Sequence, residues 1–232
     1  MYVLVPAMLF TVYLCKSKYA ALLMVGGFGA LWLATRLKTR WVIIAMLMIP
    51  PVYMYLRADA IVTGERMIAM AKQTFGEDGA LSLATRVNNE NLLAARAMER
   101  PWFGWGGWGA QRVTDENGKD LITDSLWIIT IGKAGIVGLA GLTAMLLLPM
   151  LLICFDWRIQ LWDHPAIAPL IVLGIMTALY MFDHLMNGMI NPIFMLATGA
   201  VASAHYACPV VTQRPKLKMM TRRPPAHAPH PV

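Results

Sequence analysis

The sequence has few charged residues. Asp, Glu, Lys and Arg make up 14% of its 232 residues, whereas hydrophobic residues make up 58%. Soluble domains are usually about 25% charged and roughly 45–50% apolar. A soluble helical bundle would also need polar faces along its helices, and the long apolar runs of this chain exclude such faces. The composition therefore predicts an integral membrane protein.

Cysteine and the common catalytic motifs are scarce as well. Cys15, Cys154 and Cys208 lie in or beside apolar runs, and their spacing fits neither a metal site nor a disulfide framework. The chain lacks a glycine-rich phosphate loop followed by Lys and Ser or Thr, and it lacks HExxH and GxSxG motifs. The first 15 residues have neither a basic region nor a small-residue cleavage site, so no cleavable signal peptide is expected. We expect buried thiols, no metal and no cofactor.

Six apolar segments predict an all-α bundle of about six transmembrane helices. They cover residues 2–15, 19–34, 41–56, about 126–155, 166–182 and 188–208. The fourth segment is too long for one span. Lys133, Gly135 and Gly138 predict that it divides into a short interfacial or re-entrant helix over residues 124–131 and a span over about 134–155.

The basic residues of the short loops predict the orientation. Placing residues 36–40, Arg158 and the tail in the cytoplasm puts nine Lys or Arg there, and only Lys16 and Lys18 remain in a short outer loop. Both termini are then cytoplasmic. The tail of residues 209–232 is rich in Pro, Lys, Arg and His, which predicts disorder close to anionic headgroups.

The long loop of residues 57–124 then faces the periplasm, between three spans in residues 1–56 and three in residues 125–208. It holds eight Lys or Arg against ten Asp or Glu, a formal net charge of −2. The overall charge of +7 therefore reflects membrane topology, and nucleic acid is not an expected partner.

Residues 79–99 of this loop are predicted to form an amphipathic helix. The helix should stop at Arg100, because proline disfavours helical geometry in the residue before it. Its imperfect apolar stripe consists of Leu81, Ala84, Leu92 and Ala95.

The same helix carries three arginines that would share one edge. At about 100° per residue, Arg86, Arg96 and Arg100 fall within roughly 80° of one another. Guanidinium groups bind phosphate oxygens through two parallel hydrogen bonds. The edge is therefore a candidate site for a lipid pyrophosphate. The alternative is a solvated helix face on which Glu90 and Glu99 pair with the arginines.

An aromatic turn follows over residues 101–109, with four glycines and three tryptophans. Glycine permits close backbone approach and positive φ. Trp102 and Trp105 are candidates to stack on a sugar face. The alternative is that they anchor the turn at the membrane interface, where tryptophan is common.

Two acidic residues lie at predicted membrane boundaries. Asp124 precedes the helix that re-enters the membrane, so it is either an ordinary N-cap or a general base for an acceptor hydroxyl. Asp183, beside His184, lies in the outer turn between the last two spans. Ionisable groups at such boundaries are functional candidates, although a plain polar turn is the alternative.

These features, taken in order, resemble the O-antigen ligase/polymerase superfamily of Wzy/WaaL-like bacterial membrane glycosyltransferases. An outward loop bears Arg, then a proline-glycine turn, then a polar pair that opens a helix with a G-x-x-G-L motif. The closing part is similar to the ends of exopolysaccharide polymerases. The matching residues are Arg86, Pro101-Trp-Phe-Gly-Trp-Gly, Asp124-Ser125, Gly135-Ile-Val-Gly-Leu and Asp183 to Asn187-Gly-Met-Ile-Asn-Pro192.

The resemblance implies a metal-independent enzyme of the bacterial inner membrane. It would transfer or polymerise glycan from an undecaprenyl-pyrophosphate-linked donor onto the hydroxyl of a sugar or lipid-glycan acceptor at the periplasmic face, alongside other polysaccharide-assembly proteins. Arg86 would hold the pyrophosphate, with Arg112 as a second candidate. The polar pair at Asp124 would supply the base.

Two departures from the family qualify these expectations. Ligases usually carry His where Asp124 stands, and Asp has the lower unperturbed pKa, about 3.9 against about 6.5. Family members also have many more spans than six, so we expect the chain to be a carboxy-terminal portion, inactive if donor-binding residues lie elsewhere.

There are two competing hypotheses. One is a polysaccharide transporter or flippase component, which would place ionisable groups on broken helices at the bilayer midplane. The other is a non-catalytic membrane scaffold.

Overall fold

The protein is an all-α membrane helix bundle, as predicted. The computed structural model describes residues 6, 10–12, 14, 18–58, 64–107, 109–114, 118, 120–121 and 125–207, with the backbone alone for Lys18, for some residues of 65–82 and for 205–207. Across this part of the chain no β-strand forms, and Thr114 and Asp120 make one isolated bridge. The helices are α1 (Lys18–Leu37), α2 (Trp41–Ala58), α3 (Glu65–Met98), α4 (Leu126–Asp156), a 3-10 turn (Ile159–Leu161), α5 (Ala168–Asp183) and α6 (Pro192–Ala207).

Five of these helices are apolar, and three are long enough to cross a membrane. The three long ones are α1, α2 and α4, and the two shorter ones are α5 and α6. They coincide with the second to sixth apolar segments of the sequence. The predicted first segment, residues 2–15, lies mostly outside the described residues.

Helix α4 forms the centre of the bundle and packs on α2, α3, α5 and α6. Its side chains Trp127, Leu146, Met150 and Ile153 are fully buried. By contrast, α1 lies at the periphery and exposes a row of large apolar side chains. These are Leu22, Val25, Phe28 and Trp32.

Helix α4 is divided at Gly135, whose φ of 66° and ψ of −165° are not helical. Residues 126–134 before the division are largely buried in the protein. Residues 136–156 after it would extend about 31 Å, enough for a hydrocarbon core of about 30 Å. The apolar run is therefore two helical pieces, and only the second has the length of a span.

Helix α3 runs from Glu65 to Met98, with a break at Gly76, so it contains nearly all of the helix predicted over residues 79–99. The predicted apolar stripe is wrong, because Leu81 and Leu92 are 70% and 53% exposed. The buried face instead carries Val87, Glu90, Ala94 and Ala97. A buried carboxylate interrupts that face, so no apolar stripe marks it in the sequence.

Arg40, in the loop between α1 and α2, binds the C-terminal end of α4. Its Nη1 donates to the carbonyl oxygens of Cys154 at 3.0 Å and Phe155 at 2.9 Å. These carbonyls belong to the last turn of α4. Carbonyls there lack partners within the helix, and that end of the helix carries a partial negative charge.

Arg40→Ala is expected to lower the free energy of unfolding by about 1–2 kcal/mol, because two charge-assisted hydrogen bonds disappear. Arg36→Ala is the control, since Arg36 is exposed in the last turn of α1. Thermal unfolding in detergent should show a clear drop for the first variant and little change for the second. An equal loss of thermal stability in the two variants would contradict the capping role of Arg40.

Candidate functional site

The division in α4 is filled by residues 101–106, the first part of the aromatic turn. The amides of Trp105 and Gly106 donate to the carbonyls of Gly132 and Lys133 at 2.8 and 2.9 Å. In return, the amides of Ile136 and Val137 donate to the turn's carbonyls at residues 101 and 102, at 2.7 and 3.3 Å. Non-helical backbone is tolerated at membrane depth only when its polar groups are paired in this way.

Two glycines make this close approach geometrically feasible. Gly104 has a φ of 67° and Gly135 a φ of 66°, a region that L side chains rarely adopt. A Cβ on Gly135 would lie 2.3 Å from the carbonyl oxygen of Trp102, and one on Gly104 would lie 2.6 Å from the carbonyl carbon of Lys133. The turn and the broken helix therefore interlock through two positions that only glycine fits.

Trp105 joins the turn to the C-terminal end of α3. Its indole Nε1 donates to the carbonyl oxygen of Arg96 at 2.9 Å. The guanidinium carbons of Arg96 and Arg100 lie 3.6 and 4.3 Å from the centre of its ring. The structure thus brings two of the three predicted arginines together on one aromatic ring. The same contacts cover Trp105, so it is less suited than Trp102 to stack on a sugar.

The remaining predicted arginines have separate surroundings. Arg86 is exposed on α3, ten residues before Arg96. Arg112 pairs with Asp120 at 2.6 Å in the following loop, where both side chains are about half exposed. Asp124, the predicted base, lies outside the described residues, so its role stays a prediction.

A buried charged cluster, which was not predicted, lies where α2, α3 and α4 meet. Arg57 Nη2 donates to Glu90 Oε2 at 3.1 Å, and the two residues are 4% and 3% exposed. Ser125, also buried, donates its hydroxyl hydrogen to the other oxygen of Glu90. The cluster thereby ties the end of α2 and the middle of α3 to the start of α4.

An apolar groove runs between α2 and α4, with a volume of about 570 Å³. Met54 and Met98 line the groove together with Ile136, Leu147 and Leu151. From Ile136 to Leu151 the α4 side would extend about 22 Å. Since Met98 lies between Arg96 and Arg100 in the chain, one end of the groove reaches the arginine-bearing end of α3.

The outer turn between α5 and α6 contacts the start of α4. The amide of Leu126 donates to the carbonyl oxygens of His184 at 3.1 Å and Asn187 at 3.2 Å. Asp183 accepts a hydrogen bond from the side-chain amide of Asn187 at 3.2 Å. Asp183 thus lies in a turn that supports α4.

His184 is completely buried in this turn, one residue beyond α5, and neither ring nitrogen has a hydrogen-bond partner. Its ring centre lies 4.0 Å from that of Tyr180. Burial lowers the pKa of His184 to about 4 from its ordinary value of 6.5. The folded protein therefore holds the imidazole neutral.

This burial predicts a pH-dependent stability. Below pH 6.5 the unfolded chain binds a proton that folded His184 takes up only near pH 4, so stability should fall as the pH drops through that window, by up to roughly 3 kcal/mol. His184→Phe should flatten this dependence. Thermal unfolding in detergent between pH 4 and 7 measures it, and an unchanged slope in the variant would contradict the assignment. His164→Phe, in the loop before α5 where His164 is exposed, is the control.

Among the described residues, no cluster of three or more His, Cys, Asp or Glu could hold a metal ion. No protein-family model, curated protein or solved structure matches the chain.

Proposed function

We propose that the protein is a membrane glycosyltransferase of the polymerase or ligase type. It would transfer or polymerise glycan from an undecaprenyl-pyrophosphate-linked donor onto a sugar hydroxyl at the periplasmic face of a bacterial inner membrane. The observation that carries the proposal is that Met98 lines the apolar groove and stands two residues from both Arg96 and Arg100 in the chain.

The groove and the arginines match the two halves of a lipid-linked donor. A polyprenyl chain is apolar and long, and the groove between α2 and α4 is lined by apolar side chains that such a chain could contact. A pyrophosphate is anionic, and each phosphate presents pairs of oxygen atoms that can accept two parallel hydrogen bonds from a planar guanidinium group. Arg100, exposed two residues beyond the end of α3, would contact the headgroup directly, and Arg96, which pairs with Glu99, would sit beside it.

The reaction needs one bond to form and one to break. An acceptor hydroxyl oxygen would attack the anomeric carbon of the donor, and the bond from that carbon to the pyrophosphate oxygen would break. The leaving pyrophosphate keeps the electron pair, and arginines near it would stabilise its growing charge. The hydroxyl proton would pass to a base, for which Asp124 is our candidate. Arg86 and Arg112 remain further candidates for the donor phosphates.

A polysaccharide transporter component is a second candidate, because α4 is a broken helix and broken helices form transporter binding sites. In transporters the exposed backbone groups at the break coordinate the cargo. Here the amides and carbonyls at residues 132–137 bond to the aromatic turn instead, which supports the enzyme over the transporter.

Arg100→Ala in the full-length gene tests the proposal in cells. Loss of one cation at a developing pyrophosphate should cost about tenfold or more in transfer rate, so polysaccharide chains should shorten sharply. Lys72→Ala is the matched control, since Lys72 is a cation of α3 in an exposed surface pair with Glu77. At equal protein level, unchanged polymer length with Arg100→Ala and with Asp124→Ala would contradict the proposal.

A further inference from the structure

Two aromatic side chains of the aromatic turn point away from the protein. Trp102 is 66% exposed and Phe103 is 76% exposed, whereas Trp105 in the same turn is held against Arg96 and Arg100. Exposed aromatic pairs cost free energy in water, so a pair held in place by a rigid turn indicates a partner surface.

The turn is rigid because the backbone around it is paired with α4. Four hydrogen bonds cross between the turn and the two sides of the break, and Gly104 and Gly135 leave no space between them. The position of Trp102 and Phe103 along α4 is therefore fixed. The neighbouring Ile136 and Val137 are 40% and 50% exposed, so they extend the same apolar surface.

The depth of this surface follows from the length of α4. Its C-terminal end is held by Arg40 on the side we assign to the cytoplasm. Residues 136–156 extend about 31 Å, close to the hydrocarbon thickness of about 30 Å. The break, and with it the aromatic turn, therefore lies at the outer boundary of the hydrocarbon core.

We propose that Trp102 and Phe103 form a membrane anchor that inserts the aromatic turn into the outer leaflet, at the level between headgroups and acyl chains. Tryptophan is enriched at that level. Arg100, directly before the turn and exposed, would lie at the height of the lipid phosphates. The side chains of residues 102 and 103 thus attach the long loop of residues 57–124 to the bilayer. This inference rests on membrane placement and does not depend on glycosyl transfer.

Site-directed spin labelling of the full-length protein tests the anchor. A cysteine-free background would carry Phe103→Cys or Trp102→Cys, and Glu77→Cys would be the control, since the Glu77 side chain is 83% exposed. The protein would be placed in nanodiscs of phosphatidylethanolamine and phosphatidylglycerol. Accessibility of each nitroxide to oxygen and to a water-soluble nickel chelate would be measured.

Labels at 103 and 102 should give a ratio of oxygen to nickel accessibility several-fold above that at residue 77. A nickel accessibility at 103 equal to that at 77 would overturn the proposal, and it would leave the aromatic pair in water, where a glycan could stack on it. If the Phe103 variant does not elute as a folded protein, the label at 102 carries the same test with the same two outcomes.

Discussion

Gly135→Ala is expected to be among the most damaging single substitutions in the chain. The new Cβ would lie 2.3 Å from the carbonyl oxygen of Trp102, at a φ of 66° and a ψ of −165°, a conformation that itself costs about 1–3 kcal/mol for an L residue. The aromatic turn would have to separate from α4 and lose the hydrogen bonds that Gly132, Lys133, Ile136 and Val137 make with it. We expect a total loss above about 4 kcal/mol, sufficient to prevent accumulation of folded protein.

The same helix offers a matched control. Gly141 is also in α4, and a Cβ there meets nothing within 4 Å. Gly141→Ala should therefore be neutral or stabilising by up to about 1 kcal/mol, because alanine is the better helix former. Thermal unfolding and the yield of monodisperse protein in detergent compare the two variants. Similar behaviour of Gly135→Ala and Gly141→Ala would contradict the interlocked turn.

Glu90→Leu is expected to destabilise the fold by about 3–5 kcal/mol, because it leaves the guanidinium of Arg57 buried without its carboxylate. The pair lies 3.1 Å apart with side chains 2% and 4% exposed. The double variant Arg57→Met with Glu90→Leu should recover much of that loss, since it removes both charges. Thermal unfolding in detergent of the two single variants and the double variant measures the coupling.

A surface ion pair provides the comparison. Lys72 and Glu77 lie 3.0 Å apart but are 63% and 83% exposed. Glu77→Leu should change stability by less than about 1 kcal/mol, because water and salt screen such pairs. If Glu90→Leu were as mild as Glu77→Leu, the buried charged cluster would not hold α2, α3 and α4 together.

The apolar helices were predictable because hydrophobic run length is a strong signal for membrane segments. The division of α4 was also predicted, since Lys133 and two glycines interrupt an otherwise apolar run that is too long for one span. Local composition likewise singled out the aromatic turn. Its insertion between the two pieces of α4 was not predicted, because the spacing along the chain does not show which backbone groups will pair.

The charged cluster was missed for a different reason. Arg57 and Glu90 lie 33 residues apart, and each alone resembles a solvated charge of the loop. Sequence patterns treat a charged residue as exposed, so Glu90 was considered only as a partner for the arginines on a solvated helix face, and the apolar stripe was misplaced. Only the packing of α2 against α3 reveals that the two charges neutralise each other out of water. His184 was noted as polar, but its full burial depends on the same packing of distant helices.

The most direct test of the account is a transfer assay with the full-length protein in nanodiscs. It would be supplied with an undecaprenyl-pyrophosphate-linked oligosaccharide and a glycan acceptor, and mass spectrometry would follow both products. We predict longer glycan together with released undecaprenyl pyrophosphate in equal amounts, unchanged by a metal chelator and reduced about tenfold or more by Arg100→Ala but not by Lys72→Ala. Donor consumption that never appears as transferred glycan, or transfer unaffected by Arg100→Ala, would contradict the account.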